Sequence, residues 1–244
     1  MQIDDIKMLR GDPYEVNQYI TIRQPTLNEI VNYGANDYLS LVANLTATSY
    51  DYRFQLDDIG IDYEDVNDYT MFCMLTPLFS QKETETLFGN LDLSRFKVEY
   101  GDEDTFTLVN GKVVIDEIIY QLIVDYLRKT YGFKRNFIHC GNSMARKFHM
   151  EDERRMLEEK AKESDSYKSW LAPMVSALVN CSDFSYNYDT VWELTICQFM
   201  DAVKRINKLN EYRNLNTGIY TGNIDTSKIP KKQLNKQLNW MGEL

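Results

Sequence analysis

The segment "TFTLVNGKVVI" constrains the fold most, because its Asn110 and Gly111 lie between two β-prone runs. Both central residues of a type I′ turn need a positive φ, and the Asn-Gly pair tolerates this best. The segment therefore predicts a β-hairpin that turns at Asn110 and Gly111. The β-prone run "RFKVEY" lies just upstream, so the hairpin extends to a small antiparallel meander near residues 95–115.

Most of the remaining sequence predicts short helices. The run "NQYITIRQP" predicts one short strand that stops before Pro25. Thr26 and Glu29 then form a capping box that starts a helix, and Ser80 with Glu83 repeats it. Gly60 and Gly89 are expected helix stops. The sequence thus predicts a mainly α (α+β) fold with a helical bundle-like core.

A core-facing helix is predicted to begin at Asp116. Its apolar residues follow the three- and four-residue spacing of one buried stripe: Ile118, Ile119, Leu122, Ile123, Tyr126 and Leu127. The last long helix is predicted from Asp189 to a stop at Gly218. Its expected stripe is Trp192, Ile196, Phe199, Met200, Val203, Ile206 and Leu209.

Between these helices, residues 142–162 are dense in charge and poor in apolar residues. Glu151 lies four residues before Arg155, and Glu158 lies four before Lys162, so ion pairs within the helix can stabilise it. We expect a self-supporting helix there that is exposed or bridging. The following run, "SYKSWLAPMVSALVN", predicts an apolar helix that Pro173 bends or restarts.

The two halves of the chain differ in charge. Residues 1–125 contain 23 acidic and 8 basic residues, whereas residues 126–244 contain 14 acidic and 19 basic residues. This predicts an acidic N-terminal domain, 1–134, of helices plus the β-hairpin, and a more basic helical C-terminal domain, 135–244; one single domain is the alternative. Such halves are expected to dock on each other, to meet copies head to tail as a homo-oligomer, or to be solvated independently.

Cys73, Cys140, Cys181 and Cys197 have no close CxxC spacing, which indicates buried free thiols in a reducing compartment. The N-terminus lacks the pattern of a signal peptide, and no apolar run reaches the roughly 18 residues that a membrane span needs. We therefore expect a cytoplasmic protein, or one in a particle assembled there, with no membrane partner.

Candidate chemistry is sparse. His139, Cys140 and His149 fall within eleven residues, but adjacent side chains diverge and no second ligand pair lies nearby, which argues against zinc. The acidic runs "LDDIGIDYED" and "GDEDT" have helix-cap and turn chemistry, with cation binding as the alternative. No nucleotide, metalloprotease, hydrolase or kinase motif is present. We expect no catalytic, cofactor-binding or metal-binding residue and no enzyme activity.

Basic residues are concentrated in "RKTYGFKR", residues 128–135, and in the terminal run "KIPKKQLNKQLNWMGEL". The acidic front half argues against nucleic acid as a partner. A fully exposed Trp240 would forgo burial of roughly 150–250 Å², so we expect the chain end to dock, preferably on its own domain and otherwise on a partner. The candidate interaction residues are Trp240, Met241, Leu238, Trp170 and Tyr220.

The C-terminal third resembles a group of proteins encoded among the tail genes of phages and prophages of low-GC Gram-positive bacteria. The resemblance lies in the "GIYTGNID" turn, the closing "LNWMG" and one helix opening: Asp189, Glu193, Leu194, Thr195, Ile196, Gln198 and Phe199. The run "RQPTLNEIVNYGANDYLSLVANLTAT" extends it over most of the chain. The resemblance implies a virion or tail-assembly protein that works by contacts with phage tail or other virion proteins.

The favoured hypothesis is therefore a non-enzymatic phage tail-assembly factor or chaperone, present in the host cytoplasm during assembly. A permanent baseplate, neck or tail component of the virion is the alternative within that class. Two hypotheses of other classes remain open. One is an acidic inhibitor or regulator of a host protein, and the other is an unrecognised enzyme that uses the acids of residues 57–68.

Overall fold

Helices make up most of the chain, as the caps and apolar stripes predict. The computed structural model describes residues 3–101, 106–163 and 168–242, and of residues 160–163 it describes the backbone alone. The α-helices are α1 Asp5–Arg10, α2 Leu27–Tyr33, α3 Ala35–Leu45, α4 Arg53–Asp58, α5 Asp68–Leu75, α6 Gln81–Phe88, α7 Glu117–Tyr131, α8 Ser143–Glu163, α9 Leu171–Val179, α10 Ile196–Tyr220 and α11 Lys231–Leu238. The fold is mainly α, with two small antiparallel sheets.

The strands are β1 Tyr14–Glu15, β2 Thr21–Ile22, β3 Lys97–Tyr100, β4 Phe106–Asn110 and β5 Val113–Ile115. Short 3-10 turns occupy Tyr63–Asp65, Thr76–Leu78, Leu93–Arg95, Val191–Glu193 and Thr226–Lys228. No helix within the described ranges combines the length and apolar character that a bilayer crossing needs.

The chain divides into two units whose segments alternate. Residues 14–23 and 33–169 form the first unit, and residues 3–13, 24–32 and 170–242 belong to the second. The N-terminal segment is thus divided between the two units. The order of the residues along the chain does not show this division. The sequence-based boundary at residues 134 and 135 stays a prediction.

The predicted meander is confirmed in the first unit, with strand order β3-β4-β5. The predicted turn is wrong by one residue, however. Asn110 is the last residue of β4 and pairs with Val113, so Gly111 and Lys112 form the turn. Gly111 has a φ of +62°, which is the conformation that glycine adopts without strain. Residues 102–105 of the acidic run "GDEDT" lie outside the described residues.

Helix α7 contributes a buried face to the first unit. Asp116 caps it as predicted, accepting a hydrogen bond of 2.8 Å from the amide of Ile119. The predicted stripe is only partly right, because Ile118 is 72% exposed. The stripe correctly included Ile123, Tyr126 and Leu127. The buried face also contains residues that the stripe omitted: Tyr120, Val124, Thr130 and Tyr131.

The short strand before Pro25 is confirmed as β2, but its partner β1 was not predicted. Two residues give no alternation pattern for a sequence to show. Strand β1 is fixed instead by tertiary packing, since the ring of Tyr14 stacks on Tyr126 with centroids 4.5 Å apart. Both predicted capping boxes are present, and the amide of Thr26 donates to the Glu29 carboxylate at 2.8 Å.

In the second unit, α2 and the start of α10 are joined through their backbones. The amide of Leu27 donates to the carbonyl of Leu194, and that of Ile196 donates to Pro25, both at 2.9 Å. Helix α10 begins at Ile196 rather than near Asp189, because Thr195 and Gln198 form a capping box there. Its buried residues are confined to the first turn: Ile196, Cys197 and Phe199.

The other predicted stripe residues of α10 are half-buried at most, so this part of the prediction is wrong. The predicted stop at Gly218 is also wrong, since the helix continues to Tyr220.

All four cysteines are free, as predicted. Cys73 and Cys197 are buried, whereas Cys140 and Cys181 are half-buried, which corrects the expectation that all four are buried.

Candidate interaction surfaces

The C-terminal end of the chain docks on α10 within the second unit. The Arg205 guanidinium donates to the backbone carbonyl of Gly242 at 2.7 Å and reaches that of Trp240 at 3.5 Å. Asp201 lies one turn earlier, and its carboxylate accepts from the same guanidinium at 3.3 Å. Trp240 is half-buried. The predicted docking of the end on its own domain is confirmed.

Gly218 has a packing role instead of a stop role. A β-carbon at this position would lie 2.5 Å from Cδ1 of Ile224, so any larger residue would require that side chain to shift. The amide of Ile224 also donates to the Gly218 carbonyl at 3.0 Å. The chain therefore reverses tightly after α10 and returns along it as α11.

The five predicted interaction residues fall at three places in the second unit. Leu238 and Trp240 are half-buried at the docked end, while Met241 beside them is 71% exposed. Tyr220 is 87% exposed at the last residue of α10. Trp170 is half-buried and directly precedes α9. Met241 and Tyr220 are thus available to a partner, and the other three side chains are partly used by the fold itself.

A second surface, which sequence reasoning missed, is the loop between α9 and the 3-10 turn that precedes α10. We call residues 181–190 the aromatic loop. Tyr186 is 41% exposed and Tyr188 is 54% exposed, and the ring of Phe184 lies 5.4 Å from that of Tyr186. The signal was visible as "DFSYNYD", where aromatic residues alternate with turn-forming Ser, Asn and Asp.

Side-chain hydrogen bonds fix this loop. Asn187 Oδ1 accepts from the amides of Asp189 and Thr190 at 2.9 and 3.1 Å. The indole of Trp192 donates to the carbonyl of Tyr188 at 2.7 Å. Asn180 Nδ2 donates to the Tyr188 hydroxyl at 3.0 Å. The aromatic side chains are consequently exposed on a fixed backbone, which lowers the entropy cost of binding.

An ion pair holds the start of the loop. Arg213 Nη2 on α10 donates to Asp183 Oδ1 at 2.9 Å, and its Nη1 donates to the other carboxylate oxygen. This hydrogen bonding by Arg213 lowers the pKa of Asp183 from its ordinary value. A fork-to-fork pair of this kind fixes direction as well as distance.

The exposed side of α11 is basic. Leu234 and Leu238 are half-buried on one side of the helix, whereas Lys231, Lys232 and Lys236 are exposed. We call these three lysines the lysine face. Within the described residues none of the three is in an ion pair. The lysine face therefore presents free positive charge on an acidic protein.

A third candidate is the cleft between α8 and residues 50–64 of the first unit. Helix α8 bridges to another segment, as one of the two predicted alternatives has it, but it is not self-supporting, because its basic residues bind that segment. Arg146 pairs with Asp62 and Glu64, and Arg154 pairs with Asp57 and Asp58 at 3.1 and 2.8 Å. Another pair joins Arg53 to Glu153 at 2.9 Å.

Apolar support for α8 is slight by comparison. Met150 is its buried hydrophobic residue, at 9% exposure, among the side chains that the structure describes. On the helix itself, Arg155 pairs with Asp152 rather than with Glu151. The predicted partner of Glu158 lies outside the described side chains. Ion pairs thus help to position α8.

The cleft has a volume of about 460 Å³ and is lined by both signs of charge. Its acids are those proposed as helix caps or as a catalytic cluster. Asp62 does cap the 3-10 turn, accepting from the amide of Glu64 at 3.0 Å. Because Asp57, Asp58, Asp62 and Glu64 all face arginines, these carboxylates are engaged as ion-pair partners.

His139, Cys140 and His149 lie in different environments. His139 is exposed and lies 3.6 Å from Glu64, whereas His149 lies on α8 within 3.8 Å of Glu153. Cys140 is half-buried. No group of three or more potential metal ligands occurs among the residues that the structure describes.

Residues 160–244 match the family model described as the YomV second domain, which is a domain of phage type. No match was found among curated proteins or among solved structures. The matched segment contains the aromatic loop, α10 and α11. It covers about a third of the chain. The second unit, through this segment, is similar to a phage domain, and the chain is consistent with a phage protein in general.

Proposed function

We propose that the chain is a non-enzymatic phage protein that acts through protein–protein contacts in tail assembly, with an assembly factor or chaperone favoured. The observation that carries the proposal is the aromatic loop, which is exposed, fixed by hydrogen bonds and located in the segment that matches a phage-type domain. Exposed tyrosines on a rigid backbone are typical of residues that dominate binding energy.

The arrangement of the acids supports a role without catalysis. Catalytic carboxylates normally have environments that separate their pKa values. Here the carboxylates at residues 57–64 are paired with Arg146 and Arg154. Such pairing suits structural charge better than proton transfer. Alanine substitution of Asp57 and Asp58 should accordingly leave biological activity intact, and lost activity in a folded variant would favour the enzyme hypothesis.

Inactivation of the gene in an inducible prophage tests the proposed function. We expect loss of complete tails with normal DNA replication, because the protein would act only during assembly. Wild-type particle yield and morphology would contradict the proposal. A variant with Tyr186→Ala and Tyr188→Ala should reproduce the defect, whereas Tyr19→Ala, an exposed tyrosine of the first unit, serves as the matched control.

Mass spectrometry of purified virions separates the two roles within the class. An assembly factor acting in the host cytoplasm should be absent from finished particles or present far below stoichiometry. Many copies per particle would instead assign the protein to the baseplate, neck or tail of the virion. Both results are compatible with a function through protein–protein contacts. The gene inactivation is the experiment that tests that function.

A further inference from the structure

We propose that the lysine face of one chain binds the aromatic loop of a second copy, giving a head-to-tail contact between phage-type segments. The inference rests on the proposed contact function and names one partner, which is the protein itself. Two different surfaces of the same unit carry it: Lys231, Lys232 and Lys236 on α11, and the residues around Tyr186 and Tyr188 in the aromatic loop.

The aromatic loop and the turn after it are suited to cations. Asp189 and Glu193 are exposed, and within the described residues neither carboxylate is in an ion pair. The exposed rings of Tyr186 and Tyr188 lie in the same stretch of chain. Carboxylates attract an ammonium group by charge, and aromatic rings bind it through their negative faces.

The lysine face is the complementary surface. All three lysines are exposed on α11, and Lys232 and Lys236 lie on the side away from the half-buried Leu234 and Leu238. The described structure provides no carboxylate partner for these lysines. Flexible lysine stems can also lie along tyrosine rings while the charged ends reach Asp189 and Glu193.

Charge complementarity favours a second copy over nucleic acid. The whole chain has a net charge of −10, and the two unpaired carboxylates lie in the same unit as the lysines. A polyanion would be repelled by both features. A second copy offers a fixed acidic loop for every lysine face, and the hydrogen bonds of that loop reduce the cost of ordering it.

A contact between two different surfaces has a distinctive consequence. Each bound copy still presents one free lysine face and one free loop, so association continues into a ring or an open filament. The charge of each surface can also be reversed by substitution without altering the other surface. This allows a test in which two defective variants restore each other.

The test uses the full chain and two variants. The helix variant carries Lys231→Glu, Lys232→Glu and Lys236→Glu, and the loop variant carries Asp189→Lys and Glu193→Lys. Sedimentation velocity at low salt measures association, and circular dichroism verifies folding. We expect the wild type to associate reversibly and each variant alone to associate more than about tenfold more weakly, since like charges then face each other.

The equimolar mixture of the two variants should recover association, because each altered surface then meets one of opposite charge. A control with Lys82→Glu, Lys97→Glu and Lys112→Glu has the same net charge as the helix variant but alters exposed lysines of the first unit. It should associate like the wild type. If one variant fails to fold, the salt dependence of wild-type association decides, since an ionic contact must weaken as salt rises.

A monomeric wild type, variants that associate normally, or a mixture that stays monomeric would overturn the inference. Binding of a single-stranded oligonucleotide to the wild type but not to the helix variant would overturn it in favour of nucleic acid. These results leave the proposed function standing if the gene is still required for tails. Conversely, if inactivation of the gene caused no tail defect, the proposed function would fail while any measured self-association would still stand.

Discussion

At the scale of single residues, the pair formed by Asp183 and Arg213 links the aromatic loop to α10. Arg213 lowers the pKa of Asp183 through its hydrogen bonds. A carboxyl whose pKa is lower in the folded state contributes stability above its unfolded pKa, which is about 3.9, and that contribution is lost as pH falls through the folded pKa.

We therefore expect Asp183→Asn to flatten the acid side of the stability profile. Above about pH 5 the variant should be less stable than the wild type, and the difference should vanish at the lowest pH, where Asp183 is protonated. Thermal melting as a function of pH measures this. Asp189→Asn is the matched control, since Asp189 has no ion pair in the described chain. A pH-independent difference for Asp183→Asn would contradict the prediction.

Gly218 and Ile224 should be energetically coupled. In Gly218→Ala the new methyl group meets Ile224, and the cost of this overlap opposes the roughly 1 kcal/mol that alanine adds to a helix interior. Ile224→Ala removes the overlap together with its packing. The double variant should therefore be more stable than the sum of single effects predicts by about 1 kcal/mol.

Denaturant unfolding of the four proteins measures that coupling. Effects that add to within about 0.3 kcal/mol would show that the two side chains are independent. Gly141→Ala provides a control, because a β-carbon there would meet no atom within 4 Å. That substitution should leave the coupling between residues 218 and 224 unchanged.

At the scale of elements, α8 is held by ionic contacts more than by apolar packing. Arg146 and Arg154 each face two carboxylates, while Arg155 pairs within the helix. Exposed ion pairs contribute little individually and are screened by salt. Helix α8 should consequently detach before the rest of the first unit unfolds.

Hydrogen exchange of residues 143–159 tests this expectation. The combination Arg146→Ala and Arg154→Ala should raise exchange in α8, and high salt should do the same to the wild type. Arg155→Ala is the matched control and should leave exchange near the wild-type level. Equal protection in all three proteins would show that apolar contacts, rather than ion pairs, position the helix.

The elements also show what the sequence can predict. The capping boxes at Thr26 and Ser80 depend on neighbours three residues away, so the local pattern is sufficient. The end of α10 depends on Ile224, and the burial of α7 depends on which elements cover it; neither is written in local spacing. For this reason the sequence predicts the presence of the helices better than their ends and their buried faces.

The candidate surfaces divide in the same way. Docking of the C-terminal end followed from Trp240 and the interrupted lysines, because burial of a large ring is a local demand. The aromatic loop was missed because its exposure depends on hydrogen bonds of Asn180 and Asn187 that only the folded chain brings together. The acids of residues 57–64 gained their partners from α8, far along the sequence.

At the scale of the whole molecule, we propose that the aromatic loop provides the contacts of a phage protein. The two units have different chemistry. Ion pairs line the cleft of the first, whereas the second has exposed aromatic residues and exposed lysines without ion pairs. The loop belongs to the unit that matches a phage-type domain, so its removal should affect contacts and leave the first unit intact.

The most direct measurement is affinity capture from cells that produce the phage, using the full wild-type chain and the Tyr186→Ala, Tyr188→Ala variant, with quantitative mass spectrometry of the bound proteins. We expect identified tail or other virion proteins to bind the wild type, and their captured amounts to fall more than about tenfold on the variant. Equal capture by both proteins, or a wild type that retains no phage protein, would contradict the proposal.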